Sequence, residues 1–328
     1  MALSLALILV GVILLVSGGE VLLRGAVGLA TLLRMTPAVI GLTVVAAGTS
    51  VPELAVSAIA AWQDSPDIAV GNVVGSNIFN IAFILGFCAL VRPLAITGNT
   101  IRLEYPVLAL ATVLGIVVCR DGTIGRADAA LFLAVYVAFT AYLVRLVRRQ
   151  MNDQEKQEFR AEVQELTPTA AARPRAWICL ALVGGGVALL GAGAQATVAG
   201  AVDLARYLGL SERVIGLTII AGGTGLPEVV TSLVSSVRGR DDVAIGNVIG
   251  SNLFNILGTL GLSGLIAPLP IAAEIVARDN WWMLGVTLLL FPIMFTGRRI
   301  VRSEGMLLLA VYAAYLVSVL AASGSPGE

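Results

Sequence analysis

Residues 41–86 recur without a gap at 216–261, 175 positions further along the chain. Side by side, GLTVVAAGTSVPELAVSAIAAWQDSPDIAVGNVVGSNIFNIAFILG and GLTIIAGGTGLPEVVTSLVSSVRGRDDVAIGNVIGSNLFNILGTLG agree at 22 of 46 positions. Most remaining pairs are aliphatic swaps. Each copy places a glutamate, Glu53 or Glu228, inside a strongly apolar stretch and follows it with Gly-Ser-Asn-x-Phe-Asn. An ionisable group at the centre of a bilayer costs roughly 2.5–3.5 kcal/mol even on lenient insertion scales, so such a residue marks a functional site by default. Two of them at equivalent places predict one shared site where the repeats meet.

The bilayer is the right solvent to assume. The 328 residues are 58% hydrophobic and only 13% charged, far from a soluble globular composition. Ten apolar stretches are long enough to cross about 30 Å of hydrocarbon: 2–23, 37–62, 67–91, 103–119, 127–147, 176–200, 214–237, 243–267, 275–296 and 303–322. The first has no basic leader and no small-residue cleavage site, so it reads as a retained helix. Basic residues set the orientation. With the N-terminus outside, the inner loops hold 16 of the 21 Lys and Arg residues, including Arg148, Arg149, Lys156 and Arg160. The expected topology has both termini outside and the central loop in the cytoplasm. Five spans per half force the second half to enter from the opposite side, so the repeat is inverted. The fold class expected is therefore an all-α membrane protein of ten transmembrane helices in two inverted five-helix repeats, with broken helices at the centre. Residues 1–147 form the first repeat, 148–175 a solvated linker, and 176–328 the second repeat. A prokaryotic inner membrane is the expected location. Net charge is zero, which gives no argument for a nucleic-acid partner, and nothing demands more than a monomer.

The first and sixth spans are glycine-rich, with Gly18, Gly19, Gly25 and Gly28 in one and Gly184, Gly185, Gly186, Gly191 and Gly193 in the other. Small residues let helices approach closely, and such helices also suit sliding against a core. Glu20, whose repeat mate is Gln195, is expected to pair with Arg24 one turn on. Cys88, Cys119 and Cys179 lack metal-ligand spacing and read as buried thiols.

The chemistry concentrates at Ala46-Ala47-Gly48-Thr49-Ser50-Val51-Pro52-Glu53. Pro52 has no N–H and clashes with the carbonyl four residues back, so the helix should break here. A break leaves carbonyls around 46–49 unpaired, which lipid tolerates only where they line a cavity or bind something. The second copy, Ala221-Gly222-Gly223-Thr224-Gly225-Leu226-Pro227-Glu228, repeats the design but has Gly225 in place of Ser50. A glycine there could also signal a left-handed backbone. Ser76 with Asn80, and Ser251 with Asn255, lie four apart on one helical face. Carboxylates, hydroxyls, amides and carbonyls are hard oxygen donors that fit Ca2+ or Na+ and disfavour zinc or copper. Two carboxylates neutralise one Ca2+ or two Na+, so the ions should compete. For Thr43, Ser57, Asn72, Thr218, Ser232 and Asn247, hydrogen bonding between neighbouring helices is the expected role.

The paired patterns GTS/G-x-P-E and G-N-x-x-G-S-N-x-F-N resemble the two alpha repeats of the cation/Ca2+ exchanger superfamily, and the chain is most similar to its prokaryotic Na+/Ca2+ exchangers. The resemblance implies a central Ca2+ position built by Glu53, Glu228 and the carbonyls of Thr49 and Thr224. It also implies flanking Na+ positions using the carbonyls of Ala46 and Ala221 and the hydroxyls of Thr49, Ser50, Ser76, Thr224 and Ser251, with Asn80 and Asn255 completing the middle. Transport would need no cofactor beyond the ions carried. Gly225 leaves one Na+ position short of a hydroxyl. Asn255, where K+-dependent relatives carry Asp, argues against K+ co-transport. The H+-coupled branch pairs Glu with His, and this chain has no histidine.

The expected function is thus secondary antiport of Ca2+ against Na+ by alternating access. An H+-coupled or other divalent-cation exchanger of the same fold is the alternative, and a cation channel with glutamate rings a remote one. An intramembrane enzyme is disfavoured, because no HExxH, GxSxG or paired-Asp motif is present and no His can shuttle protons.

Overall fold

The computed structural model describes residues 2–33, 37–98, 100–150, 175–207 and 221–324. Most of the 148–175 linker, Thr218 and the loop containing Ser211 and Arg213 lie outside these residues. The described chain is almost wholly helical: α1 (Ala2–Leu33), α2 (Gly41–Thr49), α3 (Val51–Trp62), α4 (Pro66–Ile78), α5 (Gly86–Val91), α6 (Tyr105–Val118), α7 (Arg126–Gln150), α8 (Ala176–Tyr207), α9 (Ala221–Gly223), α10 (Leu226–Val237), α11 (Asp241–Leu253), α12 (Leu260–Ile266), α13 (Asn280–Phe295) and α14 (Arg302–Gly324). Among the described residues, seven continuous helical runs, or eight counting the bent pair α2–α3 as one span, are long and apolar enough to cross a membrane. The expected span at 214–237 lies partly outside the described residues, which give it α9 and α10, and the one at 275–296 is the π-helical turn Ile275–Asp279 running into α13.

Element for element, the second half repeats the first at the same offset. The π-helical turn Phe79–Leu85 between α4 and α5 returns as Phe254–Thr259 between α11 and α12, and Thr100–Glu104 returns as Ile275–Asp279. The turn after α3 uses Asp64 at φ 56°, and the turn after α10 uses its mate Gly239 at φ 78°. Left-handed backbone suits glycine, and Asp tolerates it through local hydrogen bonding. Gly122 and Gly297, 175 residues apart, form a second such pair.

Contacts divide the molecule into two compact units, each drawing on both halves of the sequence: Met1–Glu53 with Ala134–Phe254, and Leu54–Leu133 with Asn255–Glu328. In the first, α1 and α8 lie antiparallel along their lengths, as the first helices of inverted repeats must. A Cβ on Gly18 would stand 2.8 Å from the Leu190 amide nitrogen, on Gly25 2.7 Å from that of Val183, and on Gly186 2.6 Å from that of Leu22. Only glycine permits backbones this close. Glu20 on α1 pairs with Arg24 at 3.0 Å, as expected, and also with Arg238 beyond α10 at 3.3 Å.

The second unit holds two short antiparallel ribbons. Leu94–Ala95 (β1) pairs with Arg299–Ile300 (β4), and Thr123–Ile124 (β2) with Leu269–Pro270 (β3). Its core includes Ile81, Ile84, Leu85, Leu108 and Ile124. In both units large aliphatic side chains such as Leu9, Ile13, Leu110 and Leu180 point outward, which suits a lipid solvent and would be a liability in water. All three cysteines are free and buried.

Candidate functional site

In the first unit the chain breaks where proline requires it. Helix α2 turns through 53° into α3, with Ser50 between them at φ −83°, ψ 9°. Pro52 has no N–H to offer the Gly48 carbonyl. The expectation of an unpaired Ala46 carbonyl is corrected: it accepts the Ser50 amide at 3.0 Å and lies 3.2 Å from the Thr49 hydroxyl. The helix keeps one more bond than proline spacing suggested. A cation engaging the Ala46 oxygen would therefore take the place of the Thr49 hydroxyl. In the second repeat, α9 ends before Thr224 and Gly225, and α10 begins with Leu226 and Pro227. Ala221 opens α9.

The two breaks serve each other's acids. Glu53 and Glu228 are each 1% exposed. The Ser50 hydroxyl donates to Glu228 Oε1 at 2.9 Å, and the Thr49 hydroxyl lies near that carboxylate. In return, Thr224 lies near Glu53, and the two carboxylates are neighbours. Gly225 has no hydroxyl with which to match Ser50. Glu228 Oε2 makes no hydrogen bond, a costly state for a buried carboxylate oxygen unless something cationic meets it.

Helix α11 completes this half of the site. Gly250 lies against α2, where a Cβ would stand 2.7 Å from that of Ala46 and collide with the Leu42 carbonyl. This close approach brings Asn247 to Thr49, whose hydroxyl is 3.3 Å from Oδ1, while Nδ2 donates to Ser232 at 2.9 Å. Ser251 follows one turn later, buried and with no hydrogen bond to its hydroxyl. Asn247 thus does both jobs: it bonds a neighbouring helix, as expected, and it reaches the break, which sequence reasoning missed. The available signal was its position four residues before Ser251 on the same face. The first-repeat mates Asn72 and Ser57 also bond, at 3.0 Å. Thr43 instead donates back to the Val39 carbonyl at 2.6 Å.

The first unit therefore assembles Ala46, Thr49, Ser50, Glu53, Thr224, Glu228 and Ser251. The second unit carries Ser76 on α4, and Asn80 and Asn255 at equivalent positions in the two π-helical turns. Asn80 and Asn255 are buried, and neither polar atom of the Asn255 amide is hydrogen-bonded. π-helical turns recur where side chains must be re-aimed at functional sites. Among the described residues no three His, Cys, Asp or Glu side chains cluster. The chemistry available is two carboxylates amid neutral oxygens, a set for a hard cation rather than a transition metal.

A model of the sodium/calcium exchanger protein family matches residues 3–145 and 178–321. The chain is 44% identical over 312 residues to the putative antiporter CaxA of Alkalimonas amylolytica, covering 94% of this chain and 96% of that protein. It is 31% identical over 356 residues to the sodium/calcium exchanger MaX1 of Methanosarcina acetivorans, covering 95% and 97%. Its fold is similar to that of the sodium-calcium exchanger NCX_Mj, with a TM-score of 0.81 and 30% identity over 97% of this chain and 99% of that one.

Proposed function

The chain belongs to the sodium/calcium exchanger family, whose fold is that of membrane-embedded secondary transporters and not of enzymes, and from that premise we propose that it exchanges Ca2+ for Na+ across the membrane by alternating access. The observation that carries this reading is the crossed pair of acids, each held at a helix break and each met by a hydroxyl from the other repeat's break. Two buried like charges repel in a poorly screened interior. One Ca2+ or two Na+ would cancel them, so a loaded site would be favoured over an empty one, and the two ions could replace each other but not bind together. In this proposal Glu53 and Glu228 carry the ion. The carbonyls of Ala46 and Ala221, the hydroxyls of Thr49, Ser50, Ser76, Thr224 and Ser251, and the amides of Asn80 and Asn255 complete its oxygen shell. Ten spans, inverted repeats, both termini outside and function as a monomer belong to the same reading.

The test is radiolabelled Ca2+ uptake into proteoliposomes under an outward gradient of Na+, K+ or H+ in turn. Only the Na+ gradient should drive uptake. Glu53→Gln and Glu228→Gln should each abolish it while leaving a folded, monodisperse protein, because removing a buried charge does not weaken the apo fold. Near wild-type Ca2+ flux in either variant would sink the shared site, and uptake driven by H+ instead of Na+ would move the chain to H+ coupling.

A further inference from the structure

Behind Glu228, helix α10 carries a line of hydroxyls that the exchange site does not use. Glu228, Thr231, Ser232, Ser235 and Ser236 recur at helical spacing on one face, and all five are buried. Ser232 accepts the Asn247 amide. The hydroxyls of Thr231 and Ser235 make no hydrogen bond at all. Elsewhere in this fold such side chains satisfy themselves on their own helix: Thr112 and Thr287 donate to the carbonyl four residues back, at 2.9 and 2.7 Å. Thr231 instead faces α1, its hydroxyl 3.8 Å from where a Cβ on Gly19 would stand. At the far end of the stripe, one residue past the helix, Arg238 meets Glu20 of α1.

The repeat-equivalent helix lacks this feature. The mates of Thr231, Ser235 and Ser236, 175 residues earlier, are Val56, Ala60 and Ala61. The mates of Glu20 and Arg238 are the uncharged Gln195 and Gln63. A hydroxyl needed only to build the arm would be needed in both arms. The shared Ser57 and Ser232, which do bond their neighbours, behave that way. Thr231 and Ser235 do not.

We propose that the Thr231–Ser235 face of α10 is the route by which partly hydrated cations reach Glu228 from the Arg238 end of the helix, with the Glu20–Arg238 ion pair at its mouth. Hydroxyl oxygens are hard, neutral ligands that can solvate Na+ or Ca2+ in passage without holding it as a carboxylate would. Glu20 is held by Arg24 and Arg238 together, so the mouth carries no free carboxylate to trap a passing cation. The apolar mate face along Val56 and Ala60 cannot serve, so the two directions of access differ in chemistry although the repeats are related. The proposal rests on the antiport reading above.

The experiment uses the full chain in proteoliposomes during Ca2+/Na+ exchange. Its native cysteines are all buried, so the unmutated protein is the labelling control. Ser235→Cys should react with a small cationic methanethiosulfonate applied from the Arg238 side and lose flux, but not react from the opposite side. Thr231→Val should slow entry from the Arg238 side about tenfold, the effect of one lost oxygen, while Thr231→Ser restores it. Thr231→Val should also melt no lower than wild type, because an unbonded buried hydroxyl has been removed. Flux without Ser235→Cys labelling, labelling only from the opposite side, or wild-type entry in Thr231→Val would each overturn the route alone. No Ca2+ flux in the unmutated chain would sink the antiport reading, and the route with it.

Discussion

Ser50 and Gly225 hold the same place in the two repeats and nearly the same backbone, φ −83°, ψ 9° against φ −79°, ψ 1°. Both conformations are open to ordinary residues, so Gly225 is not there for left-handed freedom. The difference between the breaks is one hydroxyl, which Ser50 gives to Glu228 and Gly225 cannot give to Glu53. Gly225→Ser should therefore be accepted without backbone strain and supply the missing oxygen. A ligand or donor group of this kind is worth about 1–3 kcal/mol when water does not replace it, or about tenfold in affinity. The expected result is a lower Na+ concentration for half-maximal Ca2+ efflux, with Ca2+ affinity changed much less because both carboxylates hold that ion. Ser50→Ala should move the Na+ requirement the other way. A Na+ titration of efflux reads both, and unchanged curves would remove this position from the Na+ site. The sequence pointed to these residues because polar letters in an apolar stretch have few reasons to exist. It could not show that the hydroxyl of one repeat serves the acid of the other, since that pairing joins residues 178 positions apart.

At the scale of elements, the glycines of α1 and α8 show what composition conceals. Gly11, Gly18 and Gly25 are spaced by seven, as are Gly186, Gly193 and Gly200, and a Cβ on any of the six would meet the facing helix. Gly184, Gly185 and Gly191 are equally conspicuous in the sequence, yet a Cβ on them meets nothing within 4 Å. Gly186→Ala should therefore overpack the α1–α8 contact and cost about 1–3 kcal/mol. Gly185→Ala, on the open side of the same helix, should stabilise slightly by its better helix propensity. Thermal melting in detergent separates the two, and equal melting temperatures would show that the helices are not locked at this register. Sequence reasoning found that both helices were glycine-rich but not which glycines mattered, because helix facing depends on the partner's register. It also placed the breaks correctly at Pro52 and Pro227 but drew the range of freed carbonyls one residue too wide at Ala46, which the Ser50 amide still reaches.

At the scale of the molecule, the repeat extends well beyond the 46 residues in which letters betray it. Beyond those residues, the turns at Gly122 and Gly297 and the π-helical turns Thr100–Glu104 and Ile275–Asp279 return at the same offset. Outside the motif a helix facing lipid needs only length and apolarity, so its sequence drifts while its geometry stays. The two compact units, each built from both halves, were illegible for the same reason: apolar faces carry no address. Orientation, by contrast, rests wholly on charge, and it can be checked residue by residue. Asp64 occupies the turn after α3, already tolerates a side chain at φ 56°, and is expected in an outer loop from the distribution of basic residues. Asp64→Cys should therefore label with an impermeant maleimide in intact cells, as should Ser211→Cys. Lys156→Cys, in the basic central segment, should label only after permeabilisation. The reverse pattern would turn the protein over but keep its inversion, because Asp64 and Lys156 would still lie on opposite sides. Labelling of Asp64→Cys and Lys156→Cys together in intact cells would put an even number of spans between them. Five-span halves could not then be inverted, and a single site shared by two oppositely oriented repeats would lose its structural basis.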